Sequence, residues 1–348
     1  MRLRPTILFA LPFFFFACAT TKQPAAPTPS ASKFLVAWWN VENLFDTIDD
    51  ETQDDDFTPS GKFKWTRERL DYKFKQLSTV IRDLANDRGY ALPDIMGFCE
   101  VEHQWLLDTL FQAHLGGKTY RTVYYESPDA RGIDVGIAYD GAKFQLLDSR
   151  KHKVDLEQGA TRDIVEAKFS RNGNVLHVFV NHWPSRRGGE EASEPRRIVA
   201  AQTLRSRIDE ILAQDSTADV IMLGDLNDEP SNRSISQVLR ATGDLTLVKS
   251  SSDGALYDFI ASYQGIGTYR YQNRWERIDH AIVTKGLLDN ARFFVVPNSF
   301  AVFHKPYMFE RERDGKPTEK PLRTYAGAQY LGGYADHLPI LFEIQLAQ

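Results

Sequence analysis

The chain has 348 residues, of which 42% are hydrophobic and 26% are charged, and its formal net charge is −5 at pH 7. This is the composition of an ordinary soluble globular protein with enough residues for one large core. The negative charge argues against a protein held to nucleic acid by bulk positive charge, although an enzyme with a local basic groove stays compatible with it.

The first part of the chain has the features of an export signal. Two arginines and an apolar run from Thr6 to Ala17 precede Cys18, and the run is too short to span a membrane as a mature helix. The tetrad Phe-Phe-Ala-Cys that ends at Cys18 resembles a lipobox. We therefore expect a signal peptide over residues 1–18, a lipid anchor on Cys18, and export to the periplasm or cell envelope. An uncleaved anchor and a simple secretory signal are the alternatives.

The segment that follows the signal is predicted to be a flexible tether. Residues 19–32 are rich in Pro and Ala and lack core-forming side chains. Cys99 is the only cysteine beyond Cys18, so a mature protein has no intrachain disulfide and relies on its core.

Residues 33–348 are predicted to form one α/β domain. Seven short apolar runs rich in Val, Ile, Phe and Leu have lengths that suit strands. Between them, residues 66–87 carry apolar side chains three and four positions apart, and a second helical pattern starts near Pro195. This interleaving predicts helices packed outside two sheets. The acidic stretch of residues 46–61 is predicted to be a solvated loop, with calcium binding a weaker alternative because EF-hand spacing is absent.

Polar residues end most of the apolar runs. Any one of them alone is explained as a cap or a turn residue. Together they are harder to explain as separate turns, because buried polar groups cost free energy unless they meet partners. We interpret them as one site at the edge of a sheet. The residues are Asn40, Glu42, Glu100, Asn181, His182, Asp225, Asn227, Asp279, Asp336 and His337.

The motifs around these residues resemble those of one enzyme superfamily. The chain contains, in order, Asn-x-Glu, Cys-Glu-Val-Glu, Asn-His-Trp, Gly-Asp-Leu-Asn, Arg-Ile-Asp and Asp-His-Leu-Pro. Over residues 33–345 this series resembles the endonuclease/exonuclease/phosphatase superfamily. The resemblance implies a four-layer α/β sandwich, in which two packed mixed sheets are flanked by helices and the site lies at one edge. It also implies a hydrolase that acts on phosphoester bonds.

The resemblance implies a metal site built from oxygen ligands. Glu100 is expected to be the first ligand, and Asn40, Glu42 and Asp336 are expected near the metal. Asn40 is also expected to support the phosphate. Oxygen-rich ligands suit Mg²⁺ or Mn²⁺, which neutralise a phosphate group during hydrolysis.

The same resemblance implies the catalytic roles. Asp225 is expected to orient or deprotonate the attacking water, and Asn227 to hold a phosphate oxygen. His337 is expected to contact the phosphate, with Asp279 fixing its tautomer and raising its pKa. His182 is expected near the leaving group. Which imidazole is the acid and which is the base stays open.

Two arginines are predicted to contact the substrate. Arg131 precedes a strand at a position where several relatives carry a phosphate-contacting arginine. Arg186 follows His182 in a glycine-flanked loop that can embrace a phosphate-bearing substrate. A surface loop is the alternative for each. The stretch of residues 265–280 is predicted to be a hairpin with half-buried aromatics, and a substrate wall is its alternative.

The leading hypothesis is an exported, Mg²⁺-dependent nuclease that acts on DNA as a monomer. The first alternative is a phosphatase or phosphodiesterase acting on phospholipid head groups, sugar phosphates or inositol phosphates, because a fold does not fix the substrate. A catalytically inactive surface binding module is a remote alternative. The intact set of polar residues argues against it.

Overall fold

Residues 32–347 are described by the structure, which is a computed structural model. The predicted signal peptide, Cys18 and the tether up to residue 31 lie outside the described residues. Within the described range, no helix is both long and apolar enough to cross a membrane.

The helices of the described chain include two long ones. The α-helices are α1 (Arg67–Asn86), α2 (Gln104–Thr109), α3 (Glu190–Gln214), α4 (Leu245–Ser250) and α5 (Phe259–Ser262). Two π-helical segments span Leu110–His114 and Ser234–Leu239, and 3₁₀ turns span Asp55–Phe57, Lys285–Leu288 and Pro306–Met308.

The strands are short apart from the first. They are β1 (Lys33–Leu44), β2 (Ile95–Val101), β3 (Tyr120–Tyr124), β4 (Asp134–Asp140), β5 (Gln145–His152), β6 (Ile164–Arg171), β7 (Asn174–His182), β8 (Val220–Asp225), β9 (Ala241–Thr242), β10 (Leu256–Asp258), β11 (Tyr269–Tyr271), β12 (Arg274–Glu276), β13 (Asp279–Val283), β14 (Phe293–Val295), β15 (Ala301–Val302), β16 (Phe309–Arg311), β17 (Pro317–Pro321), β18 (Tyr325–Ala326), β19 (Gln329–Tyr330) and β20 (Ile340–Leu346).

Two seven-stranded mixed sheets contain most of these strands. The first has the order β14-β20-β1-β2-β4-β3, with β15 also paired to β20, and β1 and β2 run parallel. The second has the order β5-β6-β7-β8-β13-β10-β9, and β7 and β8 run parallel. The predicted fold class, two packed mixed sheets flanked by helices, is confirmed.

Alternation along the central strands divides the core into two layers. In β8, Ile221 and Leu223 face the core between the sheets, whereas Val220 and Met222 face the outer core beneath α3. A strand buried on both faces reads as a continuous apolar run, because successive side chains point to opposite faces. Gly97 of β2 allows close packing of the sheets, since a Cβ there would meet the Val180 side chain at 2.6 Å.

The two long helices cover the outer faces. The apolar stripe of α1 packs on the first sheet, and its bounds agree with the predicted pattern to within one residue at each end. Helix α3 begins at Glu190, earlier than the expected start near Pro195, which lies inside the helix. The buried guanidinium of Arg197 donates to the carbonyl oxygen of Glu190 at 2.9 Å and so ties the turn before the proline to the rest of the helix.

Candidate active site

Strand register aligns three of the predicted catalytic side chains at one edge of the second sheet. His182 at the end of β7 pairs with Asp225 at the end of β8, and Asp225 pairs with Asp279 at the start of β13. Asn40 of the first sheet reaches across, and its Nδ2 donates to Asp225 Oδ2 at 3.0 Å. The ends of both sheets therefore meet around Asp225.

The backbone at these strand ends is unusual. Glu42, Asn43, Glu100 and Asn227 all have positive φ angles, between 53° and 61°. Asparagine adopts this left-handed conformation readily, but for Glu42 and Glu100 it costs on the order of 1–3 kcal/mol each and persists only because the surrounding structure enforces it. Strain of this kind concentrates at functional sites, which supports the assignment of this edge as a site.

His337 is held by a carboxylate and by backbone contacts. Its Nδ1 lies 2.7 Å from Asp279 Oδ2, and the indole of Trp38 donates to the other oxygen of Asp279 at 2.8 Å. The indole of Trp39 donates to the His337 carbonyl oxygen at 2.9 Å, and the Tyr269 ring lies against the imidazole. Burial lowers the pKa of His337, but the charges of Asp279 and Asp225 outweigh burial and hold the pKa well above its usual value.

Asp225 lies between the two histidines. Its Oδ2 is 3.7 Å from Nε2 of both His182 and His337, and its Oδ1 accepts from the Asn227 amide at 3.0 Å. Burial raises the pKa of Asp225 to about 7, against the opposing charge of His337. Burial, reinforced by the charges of Arg162 and Arg131, lowers the pKa of His182 well below its usual value. His182 is therefore neutral, and its approach to Asp225 is not an ion pair.

Glu100 is the carboxylate best placed to bind a metal. One of its oxygens accepts from the Asn43 amide at 3.0 Å, and the other lies 4.0 Å from His182 Nε2. Within residues 32–347, no Lys or Arg forms an ion pair with Glu100, and its side chain is 15% exposed. A carboxylate that has no cationic partner among the described residues is a hard oxygen donor of the kind that fits Mg²⁺ or Mn²⁺.

Glu42 and Asp336 are connected by an arginine that sequence reasoning missed. Arg323 Nε lies 3.0 Å from Glu42 Oε1, and its Nη2 lies 2.8 Å from Asp336 Oδ2. The Thr324 amide donates to the second oxygen of Glu42 at 2.7 Å. Burial and the charge of Asp336 raise the pKa of Glu42 to about 7. Both carboxylates are thus partly neutralised, which makes them less available to a metal than Glu100.

Lys73 is a second missed residue, and the sequence contained a signal for it. It lies on the apolar stripe of α1, three residues after Leu70, and is fully buried. Its Nζ donates to Thr324 Oγ1 and to the Tyr334 carbonyl oxygen, both at 2.7 Å. Burial lowers its pKa to about 8. A charged residue on an otherwise apolar stripe indicates such an internal partner. Lys73 supports the segment that positions Glu42.

The loop after His182 contacts the turn that contains Asn227. Arg186 Nε donates to the Asn227 carbonyl oxygen at 2.7 Å, and its Nη1 lies 3.4 Å from Glu276 Oε2. The Asn227 side chain donates to the Trp183 carbonyl oxygen at 3.1 Å. Arg186 Nη2 is buried without a hydrogen-bond partner in the described chain. Arg186 therefore positions Asn227 and keeps one donor free.

Two further arginines lie on the His182 side. Arg162, which sequence reasoning missed, is buried and donates to the carbonyl oxygens of His182 and Trp183 at 3.1 and 2.7 Å. The Nη1 atom of Arg162 also donates to Asp129 Oδ2 at 2.9 Å. Arg131 is 44% exposed at its side chain and lies 3.8 Å from the same Asp129. Of the two, only Arg131 is accessible to a substrate.

The sequence profile of the endonuclease/exonuclease/phosphatase family matches residues 35–346. The chain belongs to this family. Members of the endonuclease/exonuclease/phosphatase superfamily hydrolyse phosphoester bonds. No curated protein matches the chain significantly by sequence.

Solved structures of the endonuclease/exonuclease/phosphatase fold cover most of this chain. Humanized TDP2 of D. rerio is 16% identical, with a TM-score of 0.56, and the match covers 90% of this chain and 100% of that one. A mannosyl-6-phosphatase of Bacteroides thetaiotaomicron is 17% identical, with a TM-score of 0.57 and coverage of 89% and 99%. The human Nocturnin catalytic domain with bound sulfate is 18% identical, with a TM-score of 0.54 and coverage of 90% and 94%. At these identities the likeness shows the fold alone.

A cavity of about 870 Å³ lies beside the catalytic edge of this endonuclease/exonuclease/phosphatase domain. Arg186 lines the cavity on one side. The predicted hairpin, which forms as β11 and β12, contributes to its wall. Basic, acidic and aromatic side chains are mixed along the cavity. They include Arg186, Arg274, Arg277, Trp275, Glu190, Glu229 and Glu276.

Proposed function

We propose that this protein is a divalent-metal-dependent phosphodiesterase that cleaves nucleic acid. The observation that supports the chemistry is the convergence of Asp279, His337 and Asp225 on one side and Glu100 on the other. Phosphoester hydrolysis needs a group that activates water, a group that stabilises phosphate charge and a metal ion. Asp225 can activate the water, His337 with Asp279 can stabilise the phosphate charge, and Glu100 can bind the metal ion.

The residues act in a simple order in this proposal. Asp225, fixed by Asn40 and by the amide of Asn227, orients the attacking water and accepts its proton. His337, whose Nδ1 is held by Asp279, presents Nε2 to a phosphate oxygen. A divalent cation bound at Glu100 would neutralise the phosphate and stabilise the leaving oxygen.

The cavity at Arg186 supports an extended substrate. Arg186, Arg274 and Arg277 provide cationic groups for successive phosphates, and the half-buried Trp275 offers a ring on which a base can stack. A structure of D. rerio TDP2 with a single-strand DNA product has the same fold. We propose that a single strand lies along this cavity with its scissile phosphate at His337.

The test is cleavage of plasmid and single-stranded DNA by the purified protein with Mg²⁺. We expect nicking and strand cleavage that EDTA and Asp225→Ala both abolish. Arg274→Ala should weaken cleavage of DNA while leaving hydrolysis of a small phosphodiester such as bis-p-nitrophenyl phosphate unchanged. Intact DNA beside rapid hydrolysis of the small ester would disprove the nuclease assignment but not the phosphoesterase chemistry.

A sugar phosphatase is the second candidate. Three glutamates, Glu190, Glu229 and Glu276, line the same cavity and would repel a polyanion, whereas carboxylates bind sugar hydroxyls well. A mannosyl-6-phosphatase is among the proteins with this fold. Release of inorganic phosphate from mannose 6-phosphate, with no effect on DNA, would favour this function.

We also propose export and lipid attachment through Cys18. The arginines, apolar run and lipobox-like tetrad of residues 1–18 support this. Metabolic labelling with a radioactive fatty acid should label the full chain and not the variant Cys18→Ser. Recovery of both proteins in the cytoplasm would disprove the proposal.

A further inference from the structure

A second cluster of buried carboxylates lies where the acidic loop after β1 packs on the end of β2. Asp46, Asp54 and Glu102 are 5%, 1% and 1% exposed, so the predicted solvated loop is solvated only in part. In each of these three carboxylates, one oxygen accepts a hydrogen bond from a backbone amide. Asp46 N donates to Glu102 Oε2 at 2.6 Å, Ile48 N to Asp46 Oδ1 at 2.6 Å, and Asp50 N to Asp54 Oδ2 at 3.2 Å.

The negative charge of this cluster is not matched by a cation in the part of the chain that the structure describes. Within the described residues, no Lys or Arg forms an ion pair with Asp46, Asp54 or Glu102. The base beside them, His103, is already occupied, because its two ring nitrogens lie 2.8 Å from Asp50 and 3.3 Å from Glu126. Burying a carboxylate without a partner costs several kcal/mol as an order of magnitude, and burial raises the pKa of Glu102 to about 9. At neutral pH the adjoining carboxyl groups of Glu102 and Asp54 therefore hold either a shared proton or a bound cation.

Three buried oxygen atoms in this region have no hydrogen-bond partner among residues 32–347. They are Glu102 Oε1, Asp54 Oδ1 and Thr52 Oγ1. Glu102 and Thr52 also line a cavity of about 270 Å³, together with His103. One donor atom each from Asp46, Glu102 and His103 lies within 4.8 Å of the others. Glu102 and Thr52 thus offer unpartnered oxygens at the wall of a cavity with room for a cation.

We propose that Asp46, Asp54 and Glu102, assisted by Thr52, bind one Ca²⁺ ion in addition to the catalytic metal. Ca²⁺ accepts six to eight oxygen ligands in flexible geometry, which suits carboxylates and a hydroxyl from an irregular loop. Mg²⁺ demands a near-ideal octahedron and takes few protein ligands. Zinc sites prefer thiolate and imidazole ligands, and both nitrogens of His103 already have carboxylate partners.

The bound ion would connect the loop to the catalytic strand. Glu102 lies two residues after Glu100, and its backbone amide donates to the Leu44 carbonyl oxygen at 3.1 Å. Ca²⁺ bound there would hold the start of the acidic loop on β2. Because the ion binds only the folded chain, it would raise the thermal stability of the protein.

The first experiment follows the unfolding temperature of the full chain, stripped of metal with EGTA, as CaCl₂ is added. We expect Tm to rise by about 5 °C at a hundred-fold excess over Kd. The rise should persist in Glu100→Gln, which disables the catalytic metal site, and should vanish in Glu102→Gln and Asp54→Asn. Asp56→Asn is the matched control, because this exposed carboxylate of the same loop pairs with Lys62 at 3.4 Å.

Direct binding provides a second measurement should the cluster variants fail to fold. Equilibrium dialysis of Glu100→Gln against CaCl₂ should give one ion per chain. No Tm response in the unmodified protein would overturn the proposal, and a proton shared between Glu102 and Asp54 would then explain the pair. A response lost in Glu100→Gln but kept in Glu102→Gln would place the ion at the catalytic site and would equally overturn it.

Discussion

His337 and Asp279 form a buried pair in which the imidazole Nδ1 lies 2.7 Å from the carboxylate. A second pair of the same kind, His280 and Asp258 at 2.9 Å, lies on the neighbouring strands of the same sheet. Only the first pair faces Asp225. The chain thus contains a functional pair and a structural control for it.

Asp279→Asn is predicted to reduce kcat by about 10²–10⁴-fold, the usual contribution of a positioned proton-transfer group. Asp279 holds the pKa of His337 well above its usual value, so the charged imidazole persists across neutral pH in the unmodified protein. Without Asp279 the pKa falls, and activity should be lost at a lower pH on the alkaline side. The measurement is kcat against pH.

Asp258→Asn is the control for this prediction. It removes the carboxylate of the pair that does not face Asp225, and it should leave the pH profile unchanged even if stability falls. Equal profiles for the unmodified protein and Asp279→Asn would show that Asp279 does not act through the protonation of His337.

Sequence pattern predicted the parts of the site that lie at strand ends. The apolar run before Asp225 and the polar residues that follow it are local features, and parallel pairing of β7 and β8 then places His182 opposite Asp225. The half-buried hairpin was likewise predictable from local sequence, and it forms as β11 and β12.

The remaining contacts depend on tertiary packing and were not predictable. Arg323 meets Glu42 across 281 positions of sequence, and no local motif marks it. The burial of Asp46 and Asp54 depends on how the acidic loop packs against Glu102. The composition of residues 46–61 alone is typical of a solvated loop. Long-range ion pairs and loop packing leave no periodic signal in the sequence.

Arg323→Met is predicted to destabilise the fold by about 1–3 kcal/mol, less than for a fully buried pair because its side chain is 38% exposed. The variant leaves the buried Glu42 and the partly buried Asp336 without their shared cation. Urea unfolding of the variant and of the unmodified protein measures the difference in their free energies of unfolding. The double variant Arg323→Met with Glu42→Gln should recover part of the loss, and an additive result would show that the two residues do not interact.

Metal removal is predicted to abolish activity reversibly. EDTA should inactivate the protein, and Mg²⁺ or Mn²⁺ should restore it. Glu100→Gln should raise the metal concentration needed for half activity by at least about 10–100-fold, because no Lys or Arg of the described residues neutralises Glu100. Glu42→Gln should shift that concentration far less, since Arg323 already neutralises Glu42. Equal shifts in the two variants would contradict the assignment of Glu100 as the first ligand.

The contacts of Glu166, a residue outside the candidate active site, predict that the stability of the fold depends on pH. This buried carboxylate meets His152 Nε2 at 2.8 Å, His177 Nδ1 at 2.9 Å and Arg207 Nε at 2.8 Å. Burial opposes ionisation, but hydrogen bonds from the two histidines and Arg207 outweigh it and hold the pKa well below its usual value of 4.5. The folded state therefore binds fewer protons than the unfolded state below that pH.

Stability from Glu166 is consequently complete above about pH 4.5 and declines as the pH falls below it, by up to 1.4 kcal/mol per pH unit. Glu166→Gln should cost about 2–4 kcal/mol at pH 7, and the difference from the unmodified protein should narrow between pH 4.5 and 3. Urea unfolding at these pH values measures this difference in the free energy of unfolding.

Glu210→Gln is the control. It removes an exposed partner of the same Arg207, at 2.9 Å, and should change stability by less than about 0.5 kcal/mol at every pH. A difference for Glu166→Gln that stays constant with pH would mean that the carboxylate stabilises the fold by packing and not by its charge.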